Sequence, residues 1–119
     1  MNYQLGHVVA ERELVRHTTD GREVTVQLRV GEPLRIYDVD KNVQDWFCPL
    51  QIMGMGDGKV RAAFGVDSLQ ALLHALILAG SLLQSWSQQI SEKLTWLELS
   101  ELGLPPAGIL QGLSQSESK

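Results

Sequence analysis

At Asp67 the apolar residues change from every second position to every third or fourth. That switch limits the chain to a strand-rich part followed by a helix. Beyond it, Leu69, Leu72, Leu73, Leu76 and Leu83 hold a helical spacing within a run of leucine, alanine and glutamine that continues to about Ile90. The Asp67 carboxylate can accept from the free N–H groups of the first turn, and Gln70 stands where a capping-box partner belongs. Gly80 weakens the middle by about 1 kcal/mol against alanine.

The part before Asp67 reads as two hairpins. Residues 4–17 are strand-like and end at the turn Thr18-Thr19-Asp20-Gly21. From Glu23 to Val30 the alternation is clean, with Val24, Val26, Leu28 and Val30 on one face. Gly31-Glu32-Pro33 bends or breaks that strand, and Leu34–Tyr37 resumes it before a polar loop at Asp38–Asn42. Trp46, Cys48, Leu50 and Ile52 form the next inward row, where Pro49 marks an edge or a bulge. After the turn Gly54–Gly58, Val60, Ala62, Phe64 and Val66 are expected inside, with Lys59 and Arg61 outside. The architecture expected is α+β: a four-stranded antiparallel meander under one long helix, in two layers. Residues 1–106 form the domain and 107–119 a polar tail. Leu94–Leu99 fits a short strand or a helical turn equally well.

The helix is too apolar to be covered on one side only. At about 100° per residue, Gln70, His74, Ile77, Ser81, Gln84, Ser85 and Gln88 gather in one narrow stripe. The rest is apolar over roughly 220°, about twice the stripe of a surface helix. Leu72, Leu73, Leu76 and Leu83 are expected on the sheet. Ala71, Ala75, Leu78 and Leu82 then form a second face, covered either by the chain's own Leu94–Leu104 or by a second copy in a homodimer.

Candidate sites are few. Gly54-Met55-Gly56-Asp57-Gly58-Lys59 lacks the spacing and the following helix of a phosphate loop, so it reads as a hairpin turn. Cys48, the only cysteine, lies on the inward row and reads as an inert buried thiol. No His/Cys/Asp/Glu grouping has metal-ligand spacing, so neither a metal nor a cofactor is expected. Arg12 shares a face with Val8, Ala10 and Leu14. It is accommodated by a bulge, by snorkelling over the sheet edge, or by a buried pair with Asp67 or Asp45. Arg12, Asp67 and His74 together make the one speculative pocket, near the helix start.

The net charge of −4 argues against non-specific nucleic-acid binding. Leu69–Leu83, interrupted by Gln70, His74, Gly80 and Ser81, falls short of the roughly 20 apolar residues of a membrane span. Met1-Asn2-Tyr3-Gln4 carries neither the basic nor the apolar region of a leader, and the lone thiol fits a reducing cytoplasm.

The segments Cys48-Pro49-Leu50-Gln51-Ile52-Met53-Gly54 and Phe64-Gly65-Val66-Asp67-Ser68-Leu69-Gln70-Ala71-Leu72 resemble a family of small bacterial proteins of unknown function. The strand Ala10–Leu14 and the late Gly103-Leu104-Pro105 are similar too, while Leu50 stands where an aromatic is more typical. The resemblance implies the fold and a bacterial cytosolic origin, and no chemistry. With no nucleophile–base pair in the sequence, a non-catalytic binding or protein-interaction module, accessory or immunity-like, with an unknown protein partner, is the expectation. The alternative is a small enzyme or ligand-binding domain around Arg12, Asp67 and His74.

Overall fold

The computed structural model describes residues 3–38 and 43–106. Its elements are β1 (Val8–His17), β2 (Glu23–Gly31), β3 (Leu34–Asp38), β4 (Val43–Met53), β5 (Arg61–Gly65), α1 (Ser68–Ile90) and β6 (Lys93–Thr95). The polar loop expected at Asp38–Asn42 lies outside these residues from 39 onward, as does the tail 107–119.

The α+β class and the antiparallel pairing are as the alternation implies, but the sheet is larger than a four-stranded meander. Its path is β3-β4-β2-β1-β6, with β5 on β4, curled into a half-barrel around the helix. Two strands account for the difference. β3 resumes after the Gly31–Pro33 bend and pairs with the first half of β4, whose second half pairs with β2. β6 returns after the helix to pair with β1, so Lys93–Thr95 is strand and not helix. Three residues are too few for any periodicity to register.

The bend is built from missing groups. The β2 pairing ends at Val30↔Leu50 and the β3 pairing begins at Leu34↔Phe47, so Cys48 and Pro49 have no partner on that flank. The absent N–H of Pro49 falls in this gap, where no ladder bond is lost. A Cβ on Gly31 would stand 2.1 Å from the Leu5 carbonyl oxygen and 2.7 Å from Pro49 Cγ, so the crossing requires glycine.

Val26, Leu28 and Val30 of β2, Leu14 of β1 and Cys48, Leu50 and Ile52 of β4 make the inner face, and all are buried. Fully burying a leucine such as Leu14, Leu28 or Leu50 contributes about 1.5–3 kcal/mol before chain entropy is counted.

β5 runs in the opposite phase to the one expected. Ala63 is buried, whereas Phe64 is 47% and Val66 72% exposed. The register Cys48↔Ala63 and Trp46↔Gly65 puts the small residues inward. Adjacent alanines fit either phase of a strand, and the close approach of α1 selects the one with glycine beneath it. Phe64 instead stands opposite Phe47 on the outer face, where the Tyr3 ring lies 6.1 Å from it and 5.4 Å from Phe47.

The helix is likewise turned, by about 80° from the expected setting at its 3.6-residue period. Ala71, Ala75, Ala79 and Leu83 are 0% exposed and face the sheet. Ala71 and Ala75, expected on a face for a second copy, are core. Leu72 and Leu76 flank this row on one side and Leu78 and Leu82 on the other, all partly buried against the core. Small residues allow the closest approach, and the leucines straddle it. On the far side, Leu104 and Pro105 pass over Gly80, so the chain itself covers part of the second face. By length and mean hydropathy alone the 23-residue α1 is sufficient to cross a membrane, which corrects the expectation that it falls short. Its fully buried alanine row is that of a core helix.

Candidate functional site

Each residue of the speculative pocket has a structural task, and the three tasks lie in different places. Asp67 is the helix N-cap: its extended backbone leaves Oδ1 to accept from Gln70 N–H at 2.7 Å. Gln70 reciprocates one residue further out than a capping box does, accepting from Val66 N–H at 2.8 Å. His74 donates from Nδ1 to the Phe64 carbonyl at 2.7 Å, since a carbonyl can only accept. β5 pairs only with β4, and the imidazole occupies one of its backbone acceptors, which blunts this edge strand.

Arg12 is on β1, and β2 and β4 intervene before β5. Its Nη1 donates to the carbonyls of Leu102 at 2.9 Å and Gly103 at 3.0 Å, and the guanidinium lies 3.9 Å over the Trp96 ring. Among the described residues it has no carboxylate partner, so the pair with Asp67 or Asp45 is not formed. Arg12 pins the segment after β6 to the sheet instead.

Cys48 is 0% exposed, and burial pushes its thiol up to about 11. Its Sγ–H points to the Gly31 carbonyl, with 3.3 Å between sulfur and oxygen. Neither the thiolate fraction nor the access needed by a nucleophile is available. The glycine-rich segment is the β4–β5 hairpin connection. There Asp57 takes two hydrogen bonds from Arg61 at 2.8 Å each and one from Lys59 N–H at 3.0 Å. The Arg61 bonds, more than the Lys59 N–H, hold the Asp57 carboxyl well below the usual carboxylate range.

The feature that sequence reasoning missed lies on the outer face of β1 and β6. Val15 pairs with Thr95, and His17 with Lys93 on one side and Glu23 on the other. Directly after β6 the chain reverses between Trp96 and Leu99, which exchange backbone hydrogen bonds of 2.9 and 2.8 Å. The two central residues have φ of 51° at Leu97 and 66° at Glu98. This is the left-handed turn that tight hairpins close with Asn-Gly or Asp-Gly. A bulky side chain held there costs on the order of 1–3 kcal/mol, and Leu97 remains 74% exposed.

The turn walls a groove of about 840 Å³. Glu13, Val15, His17 and Glu23 form its floor and one side, and Lys93, Thr95, Leu97 and Glu98 the other. His17 Nε2 is 2.9 Å from Thr95 Oγ1, and its Nδ1 is 3.9 Å from Glu23 Oε1. The order hydroxyl, imidazole, carboxylate is that of a nucleophilic triad, but the geometry is not. The carboxylate is beyond hydrogen-bond distance and its side chain 71% exposed, so it does not orient the ring, and Thr95 is 7% exposed. The His17–Thr95 bond reads as a polar clamp across the β1–β6 pair. Among the described residues, Glu13 and Glu98 have no cationic partner, and no group of three or more His, Cys, Asp or Glu is placed to hold a metal ion.

The chain belongs to the family of the domain of unknown function DUF6968, whose profile matches residues 10–106. This agrees with the resemblance to a family of unknown function. Neither the curated proteins nor the solved structures contain a match to the chain.

Proposed function

We propose, starting from a family that brings no activity with it, that this chain is a non-catalytic protein-interaction module of accessory or immunity-like type. The observation that carries the reading is the turn at Leu97 and Glu98. Asn-Gly would close the same hairpin without strain. This chain instead spends stability to hold a leucine in water beside a groove, and strain kept at a surface belongs with what the surface contacts. The lone buried thiol supports a cytoplasmic setting, and the family resemblance supports a bacterial source.

The test is the double variant Leu97→Asn, Glu98→Gly. It should raise the thermal midpoint by a few degrees, since relieving about 1–3 kcal/mol of strain acts on a small domain. It should also lose a partner that the parent retains in affinity capture from the native host. A variant that is more stable and still retains every partner would show that the turn is not a contact surface.

A second reading, self-association, is favoured by a separate observation. Phe64, Val66 and Leu69 at the β5–α1 junction are 47%, 72% and 73% exposed within six residues of chain. With Ala71 and Ala75 in the core, this cluster replaces the helix face first expected to meet a second copy, and a two-fold dimer there would cover it.

A further inference from the structure

The groove beside the strained turn has a chemistry that selects its occupant. Its two apolar walls, Val15 and the projecting Leu97, face each other across a floor that carries Glu13, Glu23 and Glu98 against a single ammonium, that of Lys93. The His17 ring is held by Thr95 at 2.9 Å. We infer that the groove docks a segment of a partner protein in which an apolar side chain is flanked by lysine or arginine. The inference rests on the interaction reading above and adds the class of partner to it.

Charge complementarity carries the choice. The carboxylates of Glu13 and Glu98 are unpaired among the described residues and border the apolar walls, so a cationic side chain gains a partner where an anionic one meets repulsion. A nucleic acid is disfavoured, because its phosphates would face these carboxylates. A second copy seated groove to groove is disfavoured too. A two-fold contact repeats the same patch on both sides and would set Glu13 and Glu98 against their own copies. An apolar side chain of the partner, packed on Leu97, would remove from water the residue the turn holds there.

The experiment titrates three blocked pentapeptides into the isotope-labelled protein and follows its backbone amide resonances. One peptide alternates lysine with leucine, one serine with leucine, and one glutamate with leucine. The lysine peptide should shift the amides of Val15, Thr95, Leu97 and Glu98, less so at high salt, because exposed charges are screened. The serine peptide should bind more weakly, and the glutamate peptide should leave these amides unmoved. Glu13→Gln and Glu98→Gln should each weaken the lysine peptide by about two- to fivefold, while the unshifted remainder of the spectrum reports an intact fold. If the serine peptide shifts the groove as strongly as the lysine peptide, selection by charge is wrong and the interaction reading survives. If no peptide moves any groove amide, the groove is not a docking surface and both readings fall.

Discussion

Gly65 passes so close beneath Ala71 that a Cβ on the glycine would stand 2.4 Å from the alanine's backbone nitrogen. This contact sets the height of α1 above the sheet and explains the run of alanines on the helix underside. Gly65→Ala must therefore lift the helix or bend β5. It should lower stability by about 1–3 kcal/mol or more, the range for overpacking. Gly80→Ala is the control: its nearest neighbour would be Leu104 Cβ at an ordinary 3.5 Å. That change should gain up to about 1 kcal/mol from helix propensity alone. Urea unfolding of both variants checks the pair, and a neutral Gly65→Ala would refute the close packing.

How much of this was legible in the sequence depended on whether a signal was local. The Glu23–Val30 alternation and the Asp67 cap involve neighbours in the chain, and both elements form where the pattern places them. The phase of β5 and the setting of α1 were misread for one shared reason. Hydrophobic patterning ranks leucine and phenylalanine above alanine and glycine, whereas the tightest contact in this fold requires the smallest residues. Arg12 was read as needing a carboxylate because sequence reasoning counts side chains. Its acceptors are the main-chain carbonyls of Leu102 and Gly103, which any residue supplies. The groove joins residues 13–23 to 93–98, and no spacing rule connects them.

The cap assignment at Asp67 has its own test. Serine can accept the same Gln70 N–H, so Asp67→Ser should be close to neutral, while Asp67→Ala should lower stability by about 0.5–2 kcal/mol. Equal losses in the two variants, measured by chemical denaturation, would contradict capping as the role of this carboxylate.

Cys48 predicts a pH dependence. Its thiol ionises at an ordinary 9.0 in an unfolded chain but only at about 11 in the folded protein. Between those values the unfolded state has lost a proton that the folded state keeps. Stability therefore falls as pH rises through this window, and below 9.0 the thiol contributes no slope. Lysines and tyrosines titrate nearby, so the measurement is the difference between the parent and Cys48→Ala in urea midpoint at pH 8, 9 and 10. The parent should lose ground to the variant with each step. At neutral pH the native thiol should react with a thiol reagent only as fast as the protein opens.

Self-association, if it uses the β5–α1 junction, depends on Leu69, which is 73% exposed and makes no part of the core. Leu82, on the face first expected to meet a second copy, packs against the core, so Leu82→Asp would unfold the chain and reveal nothing about assembly. Leu69→Asp is the informative change. It follows the cap at the second helical position, where a carboxylate is favourable to the helix dipole by a few tenths of a kcal/mol. The folded monomer should therefore be at least as stable as before. A two-fold contact through Phe64, Val66 and Leu69 would instead carry two buried carboxylates facing each other, which no dimer of modest area tolerates. Sedimentation of the parent should show a dimer at micromolar concentration or above, and Leu69→Asp a monomer with an unchanged circular dichroism spectrum. A parent that sediments as a monomer at millimolar concentration would leave the junction as exposed apolar surface with no second copy upon it.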